Sequence, residues 1–184
     1  MMPTTGDHSF LEATRRELAV FTSDMMGAQR YVDQFGSAGR LRALMRLSRQ
    51  ARLRDLVETS PLPSMLIDPR PGLRIVESNA AYAAATLTTP QRTAGEKLFT
   101  VFPDNPATPT ADGVSNLFES LHKTAQTGQM HVMGTQRYDV RDANGDFVIR
   151  HWHPRNIPIF DDAGQLIYLL HQAQVVEGGD PQQV

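Results

Sequence analysis

Gln136-Arg137-Tyr138-Asp139-Val140-Arg141-Asp142-Ala143-Asn144-Gly145-Asp146-Phe147-Val148-Ile149-Arg150-His151-Trp152 carries the pattern that decides the fold of this 184-residue chain. Apolar and polar residues alternate on both sides of Asn144-Gly145. Asn-Gly is the strongest short-range hairpin signal, because both residues tolerate positive φ in a type I′ turn. With Asn144 and Gly145 as a two-residue loop, Ala143 faces Asp146 and the ladder follows. Asp139 then lies across from Arg150, Arg137 from Trp152, Tyr138 from His151 and Val140 from Ile149. A slip of two residues would set Arg137 against Arg150. An opposite-charge pair and a cation–π pair each favour the first register by a few tenths to ~1 kcal/mol, while like charges penalise the second. The expected result is one polar face (Arg137, Asp139, Arg150, Trp152) and one mixed face (Gln136, Tyr138, Val140, Ile149, His151) that looks into a core or cavity.

Working outward, three β segments are expected, at Met130 to Arg141, Phe147 to Asn156 and Leu166 to Val175, the last two separated by Asp161-Asp162-Ala163-Gly164. Upstream, Val114, Leu117, Phe118 and Leu121 give helical spacing over Gly113 to Thr127. Thr86 to Asp112 is rich in Pro and Thr, and its apolar cluster (Leu98, Phe99, Val101, Phe102) reads as short helical turns over a core. Met65 to Ile67 and Leu73 to Glu77 read as a strand pair around a Pro/Gly turn, and Ser78 to Tyr82 as the start of a small helix. Ser60-Pro61-Leu62-Pro63 breaks helix ahead of that pair.

Before the break the period is helical. Ser9 and Glu12 have capping-box spacing, and Leu11, Leu18, Phe21, Met25 and Ala28 follow at helical steps. A second helix, from about Ala38 to Glu58, sets Leu41, Leu44, Met45, Leu47 and Ala51 opposite Arg42, Arg46 and Arg49. The organisation expected is a helical arm over 1–55, one small soluble α+β domain over 56–176, and a polar tail over 177–184.

Composition narrows the chemistry. Cysteine is absent, which removes disulfides, thiolate nucleophiles, iron–sulfur clusters and any Cys-linked chromophore. No apolar run approaches the roughly 18–20 residues that span a bilayer, and the first ten residues lack a basic and apolar leader pattern, so a cytoplasmic protein with no membrane partner is expected. Neither GxxxxGK, HExxH, GxSxG nor a kinase signature is present, so no enzymatic activity is expected.

Four motifs occur in order: Ile75-Val76-Glu77-Ser78-Asn79-Ala80-Ala81-Tyr82; Phe102-Pro103-Asp104-Asn105-Pro106; Gln136-Arg137-Tyr138-Asp139-Val140; and Arg150-x-Trp152 with Asn156-x-Pro158-Ile159. With the element order, they resemble the PAS sensor subtype found at the head of bacterial histidine kinases and hybrid kinases. The resemblance covers about residues 56–176. It implies a stand-alone sensory and dimerising module: a five-stranded antiparallel sheet with flanking short helices, whose cavity holds haem, flavin, an organic acid or nothing. No transmitter is expected after the last strand.

The cavity is expected between the mixed face and the helices of Leu87 to Thr127, lined by Phe99, Phe102, Leu117, Leu121, Tyr138, Ile149, His151 and Leu169. Tyr138 and His151 would supply its polar contacts. The residues name no ligand or cofactor. His122 lies on the helix that carries the iron ligand in haem-binding relatives of this fold, but the counted position falls nearer Asn116, so His122 reads as a solvated helix-terminal residue. His151 and His153 share a strand face without a third metal ligand at obvious spacing. The polar Asn/Gln set usual for non-covalent flavin is not evident. Trp152 reads as structural packing under the N-terminal helix.

Two functions are held open: a sensor that binds a small ligand in its core and signals through dimer or partner contacts of its N-terminal helices, and a protein-interaction module with a filled core. A cavity of roughly a few hundred Å3 separates them. The apolar faces of the two N-terminal helices exceed what one sheet face covers, at about 25 cal/mol per Å2 left wet, so a homodimer is expected. The arginine face would dock a signalling partner, a histidine kinase or regulator, rather than nucleic acid.

Overall fold

The computed structural model describes Leu47 and residues 50–161 and 163–176. Apart from Leu47 and residues 50–55, which are helical, the expected arm lies outside the described residues, as does the tail. The chain divides into Met1–Arg54 and Asp55–Val184. In the second unit the order is β1 (Ser64–Ile67), β2 (Ile75–Ser78), α1 (Ala80–Ala85), α2 (Pro90–Thr93), α3 (Leu98–Val101), α4 (Gly113–Thr127), β3 (His131–Val132), β4 (Gln136–Arg137), β5 (Val140–Arg141), β6 (Phe147–Val148), β7 (His151–Phe160) and β8 (Leu166–Val175). Every pairing is antiparallel. The sheet runs β2-β1-β8-β7-β3, with β4 also on β7 and β5 paired to β6 apart from it. Since β3 and β4 share one edge of β7, the sheet has five strand positions, and the fold is the expected α+β one.

Asn79 starts this architecture. It caps α1 by accepting from the Tyr82 N–H (2.8 Å) and also accepts from the Ser64 N–H (3.1 Å). Its amide nitrogen lies within hydrogen-bond distance of the Val57, Ser60 and Leu62 carbonyls (3.0, 3.0 and 2.8 Å). One buried amide therefore joins the chain entering β1, the start of β1 and the start of α1. This is the satisfaction that a buried polar side chain requires.

The hairpin register differs from expectation by one residue. Gln136 pairs with Trp152, Arg137 with His151, and Val140 with Val148. The Asp142 N–H donates to the Asp146 carbonyl (2.9 Å) and the Gly145 N–H to the Asp142 carbonyl (3.1 Å). The loop thus has three residues, Ala143 to Gly145, with Gly145 at φ 92°. The Asp142 carboxylate accepts from the Asn144 and Asp146 N–H groups (2.8 and 3.0 Å), favouring a tight turn followed by a left-handed glycine over the two-residue alternative. The β7–β8 connection repeats the device: Asp161 accepts from the Ala163 and Gln165 N–H groups, each at 2.9 Å, and Gly164 has φ 73°.

Because side chains alternate with period two, one residue of slip exchanges the faces of the partner strand. Trp152 turns inward and is 5% exposed, while Ile149 turns outward and is 58% exposed. Upstream, the Met133 N–H bonds the Pro154 carbonyl, whereas Gln136 pairs with Trp152. Gly134 and Thr135 therefore oppose His153 alone, a bulge. The change of phase lets Met133 face the core together with Gln136, Tyr138 and Val140. Among the described residues no helix is long and apolar enough to cross a membrane.

Candidate ligand-binding site

The bulge and the register bring four inward rows together: Met133, Gln136, Tyr138 and Val140 from the edge, Trp152 and Pro154 from β7, His171 and Ala173 from β8, and Tyr82 and Thr86 from α1 and its cap. Phe102, Gly113 and Leu117 close the other side. The cleft between them has about 490 Å3 of empty space counting its open mouth, of which about 40 Å3 admits the centre of a water-sized sphere. One water needs about 10–15 Å3 by the second measure, so a few waters or a small group fit without rearrangement.

Tyr138 is anchored rather than free. Its hydroxyl donates to the Phe102 carbonyl (2.5 Å), its own carbonyl accepts from Trp152 Nε1 (2.7 Å), and burial pushes its pKa up. Beside it, Asp139 is buried and accepts from Arg137 (3.0 Å to each oxygen) and from Asn105 (2.9 Å). Burial works against the Asp139 charge, but those donors outweigh it, and the carboxyl stays below its ordinary value. The Tyr138 ring packs on the first residue of α4, where a Cβ built on Gly113 would stand 2.5 Å from a ring carbon. Gly113→Ala should accordingly cost about 1–3 kcal/mol, the usual effect of overpacking. Urea denaturation measures it, and a midpoint unchanged from that of the parent would show that the ring gives way freely.

A buried polar chain crosses the inner face. His131 Nδ1 and Ser120 Oγ are 2.7 Å apart, Asn156 Nδ2 donates to Ser120 Oγ (2.7 Å), and Asn156 Oδ1 meets His171 Nδ1 (2.7 Å). Asn156 Nδ2 also points at Met133 Sδ (3.9 Å), so the oxygen is the atom turned to His171. His171 therefore donates through Nδ1, and desolvation lowers its pKa to about 4, leaving a neutral ring. Its edge meets Tyr82 with centroids 5.8 Å apart.

Of the eight residues expected around the cavity, Phe102, Leu117 and Tyr138 stand in its wall. Leu121 and Leu169 are fully buried in the core behind it, and Phe99 is partly buried with its ring 6.4 Å from that of Phe118. Ile149 and the half-buried His151 lie on the opposite face of the hairpin, a consequence of the register. Trp152 is corrected the other way, from packing outside the sheet to the cavity wall. His122 is exposed and stacks on Phe118 at 5.9 Å. His171 is absent from the expected set, although period-two alternation from Leu169 puts it on the same face. Gly113 and Met133 carry no such local signal.

No family model and no curated protein matches the sequence. Among solved structures, the Rhodobacter sphaeroides LOV protein superposes with TM-score 0.56 at 12% identity, over 73% of this chain and 70% of that one. A PAS domain from Colwellia psychrerythraea gives TM-score 0.50 at 11% identity, over 70% of this chain and 97% of that one. An RNA-binding light-oxygen-voltage receptor gives 0.50 at 12%, over 70% and 33%.

Proposed function

Since residues of this chain adopt the fold of PAS and LOV domains, we propose that it is a non-enzymatic sensor whose core cavity takes a small ligand and whose signal leaves through its N-terminal residues. The observation that carries the reading is the cavity itself: a largely apolar and aromatic cleft on the inner sheet face with a few inward polar groups, the usual character of a small-molecule site. Asn79 supplies the route. It holds the N–H of the wall residue Tyr82 and the carbonyls of Val57 and Ser60 at once, so displacement of Tyr82 pulls on the chain that leads back to the arm. An absorbance spectrum of the purified protein, followed by mass spectrometry of the denatured supernatant, tests for a retained ligand. Release of a small molecule in near-stoichiometric amount is expected; none, together with a flat thermal-shift screen, removes the reading.

A second reading, an interaction module without ligand, is favoured by the small interior space and by outward apolar residues on the sheet, Ile149 at 58% and Val132 at 48% exposure. On either reading the apolar patterns of residues 11–28 and 41–51 call for a second copy or a protein partner. Light scattering should give a dimer for the full chain at micromolar concentration and a monomer for a chain starting at Arg54. Equal masses per chain in both would remove the arm from the interface.

A further inference from the structure

Two polar groups, on residues that line the cavity, have no hydrogen-bond partner among the described residues. The Tyr82 hydroxyl belongs to a residue 5% exposed and makes no hydrogen bond to the described residues, while the Tyr82 backbone is engaged with Asn79 and Thr86. His171 is 3% exposed and spends Nδ1 on Asn156, so Nε2 keeps an unused lone pair. An orphaned buried donor or acceptor carries a desolvation cost, and native proteins rarely leave one without a purpose. Here a donor (the tyrosine O–H) and an acceptor (the histidine Nε2) belong to rings in edge-to-face contact on two residues that line one cavity.

The rest of the wall limits what can answer them. Phe102, Leu117, Met133, Val140 and Trp152 are apolar or aromatic, and among the described residues no charged side chain lines the cavity. The Arg137 guanidinium is held outside by Asp139. The other polar wall members are already engaged: Tyr138 with Phe102, Gln136 with Asn116, and Thr86 with the Tyr82 carbonyl. An anion would enter without a counter-charge, which burial penalises heavily.

Resting on the reading of this cleft as a ligand site, we infer that its ligand is a small uncharged molecule, largely apolar and ring-sized at most, with one hydroxyl that donates to His171 Nε2 and accepts from the Tyr82 hydroxyl. Met133, unbranched and flexible, is the wall member suited to yield as such a molecule enters.

Phenol, toluene and benzoate separate the alternatives, titrated into the full chain at pH 7 by calorimetry or ligand-observed NMR. Phenol should bind about thirtyfold more tightly than toluene, the worth of about two net hydrogen bonds, and benzoate should not bind. Tyr82→Phe should cut that preference to about fivefold, leave toluene unchanged, and keep or raise the melting temperature of the free protein, since it removes an unsatisfied buried hydroxyl. If phenol and toluene bind equally, or Tyr82→Phe leaves phenol affinity intact, the cavity stands but the hydroxyl inference falls. Benzoate binding above phenol overturns the uncharged class. A large loss of melting temperature in Tyr82→Phe shows the hydroxyl to be bonded in the free protein and also overturns it. If none of the three binds, the ligand-site reading fails with it.

Discussion

Replacing Asn79 with alanine should lower the free energy of unfolding by about 3–5 kcal/mol, the range for breaking a buried polar network. The side chain is 2% exposed, so water cannot substitute for it. Its loss leaves the N–H groups of Ser64 and Tyr82 and the carbonyls of Val57, Ser60 and Leu62 without this partner. Each buried group so abandoned costs roughly 1–3 kcal/mol before relaxation, and removal of the α1 cap contributes about 1 kcal/mol of the total. Asn79→Asp is the sharper variant, nearly identical in shape, which keeps the acceptor oxygen and sets a carboxylate against three carbonyl oxygens. It should lose at least as much as alanine. Urea denaturation of both checks this; a loss below about 1 kcal/mol in either would mean that the three carbonyls find other partners, and the proposed route from Tyr82 to the arm would lose its joint.

Stability should fall by roughly 3 kcal/mol between pH 6.5 and pH 4 through His171 alone, following the linkage between pKa and folding. Desolvation holds its folded value at about 4 against an ordinary 6.5. Between those values the unfolded chain binds a proton that the folded chain refuses. The stability is therefore complete above 6.5, drains as pH falls, and levels off below 4. The carboxyls of Asp68 and Asp139 are lowered as well, held below 3.8 when folded, by the Arg70 hydrogen bond at Asp68 and, at Asp139, against the burial that opposes the charge, by Arg137 and Asn105. Their contribution is lost only as pH drops below 3.8, outside the histidine window. His171→Gln, which removes the titration, should flatten the slope between 6.5 and 4 in chemical denaturation run across that range. An unchanged slope in the variant would place the titrating group elsewhere.

How far the sequence could be read is clearest at the hairpin. Its existence, the helix over Gly113–Thr127 and the strand Leu166–Val175 rest on local signals: alternation, turn residues and helical spacing. The register does not. The pairing preferences that favour the expected ladder are worth at most ~1 kcal/mol each, whereas burying a tryptophan removes about 150–250 Å2 from water at about 25 cal/mol per Å2. Burial of Trp152 outweighs them, but only once β8 pairs beside the strand and α1 and α4 lie over the sheet face, and it agrees with the turn chosen by the Asp142 carboxylate. The Asp-x-x-Gly spacing at Asp142–Gly145 and again at Asp161–Gly164 is the local clue to a three-residue loop.

The amino-acid order by itself determined the α+β class, the place of the break at Ser60 to Pro63, the start of a small helix at Ser78 to Tyr82, and the absence of thiol chemistry. These depend on contacts within a few residues or on composition, which need no partner segment. Only the tertiary structure decided which residues surround the cavity. Phase along β3 and β4 is reset by the bulge at Gly134-Thr135, and the neutrality of His171 and the isolation of the Tyr82 hydroxyl are properties of burial. Burial comes from segments distant in the chain closing over one another, and no local pattern records it.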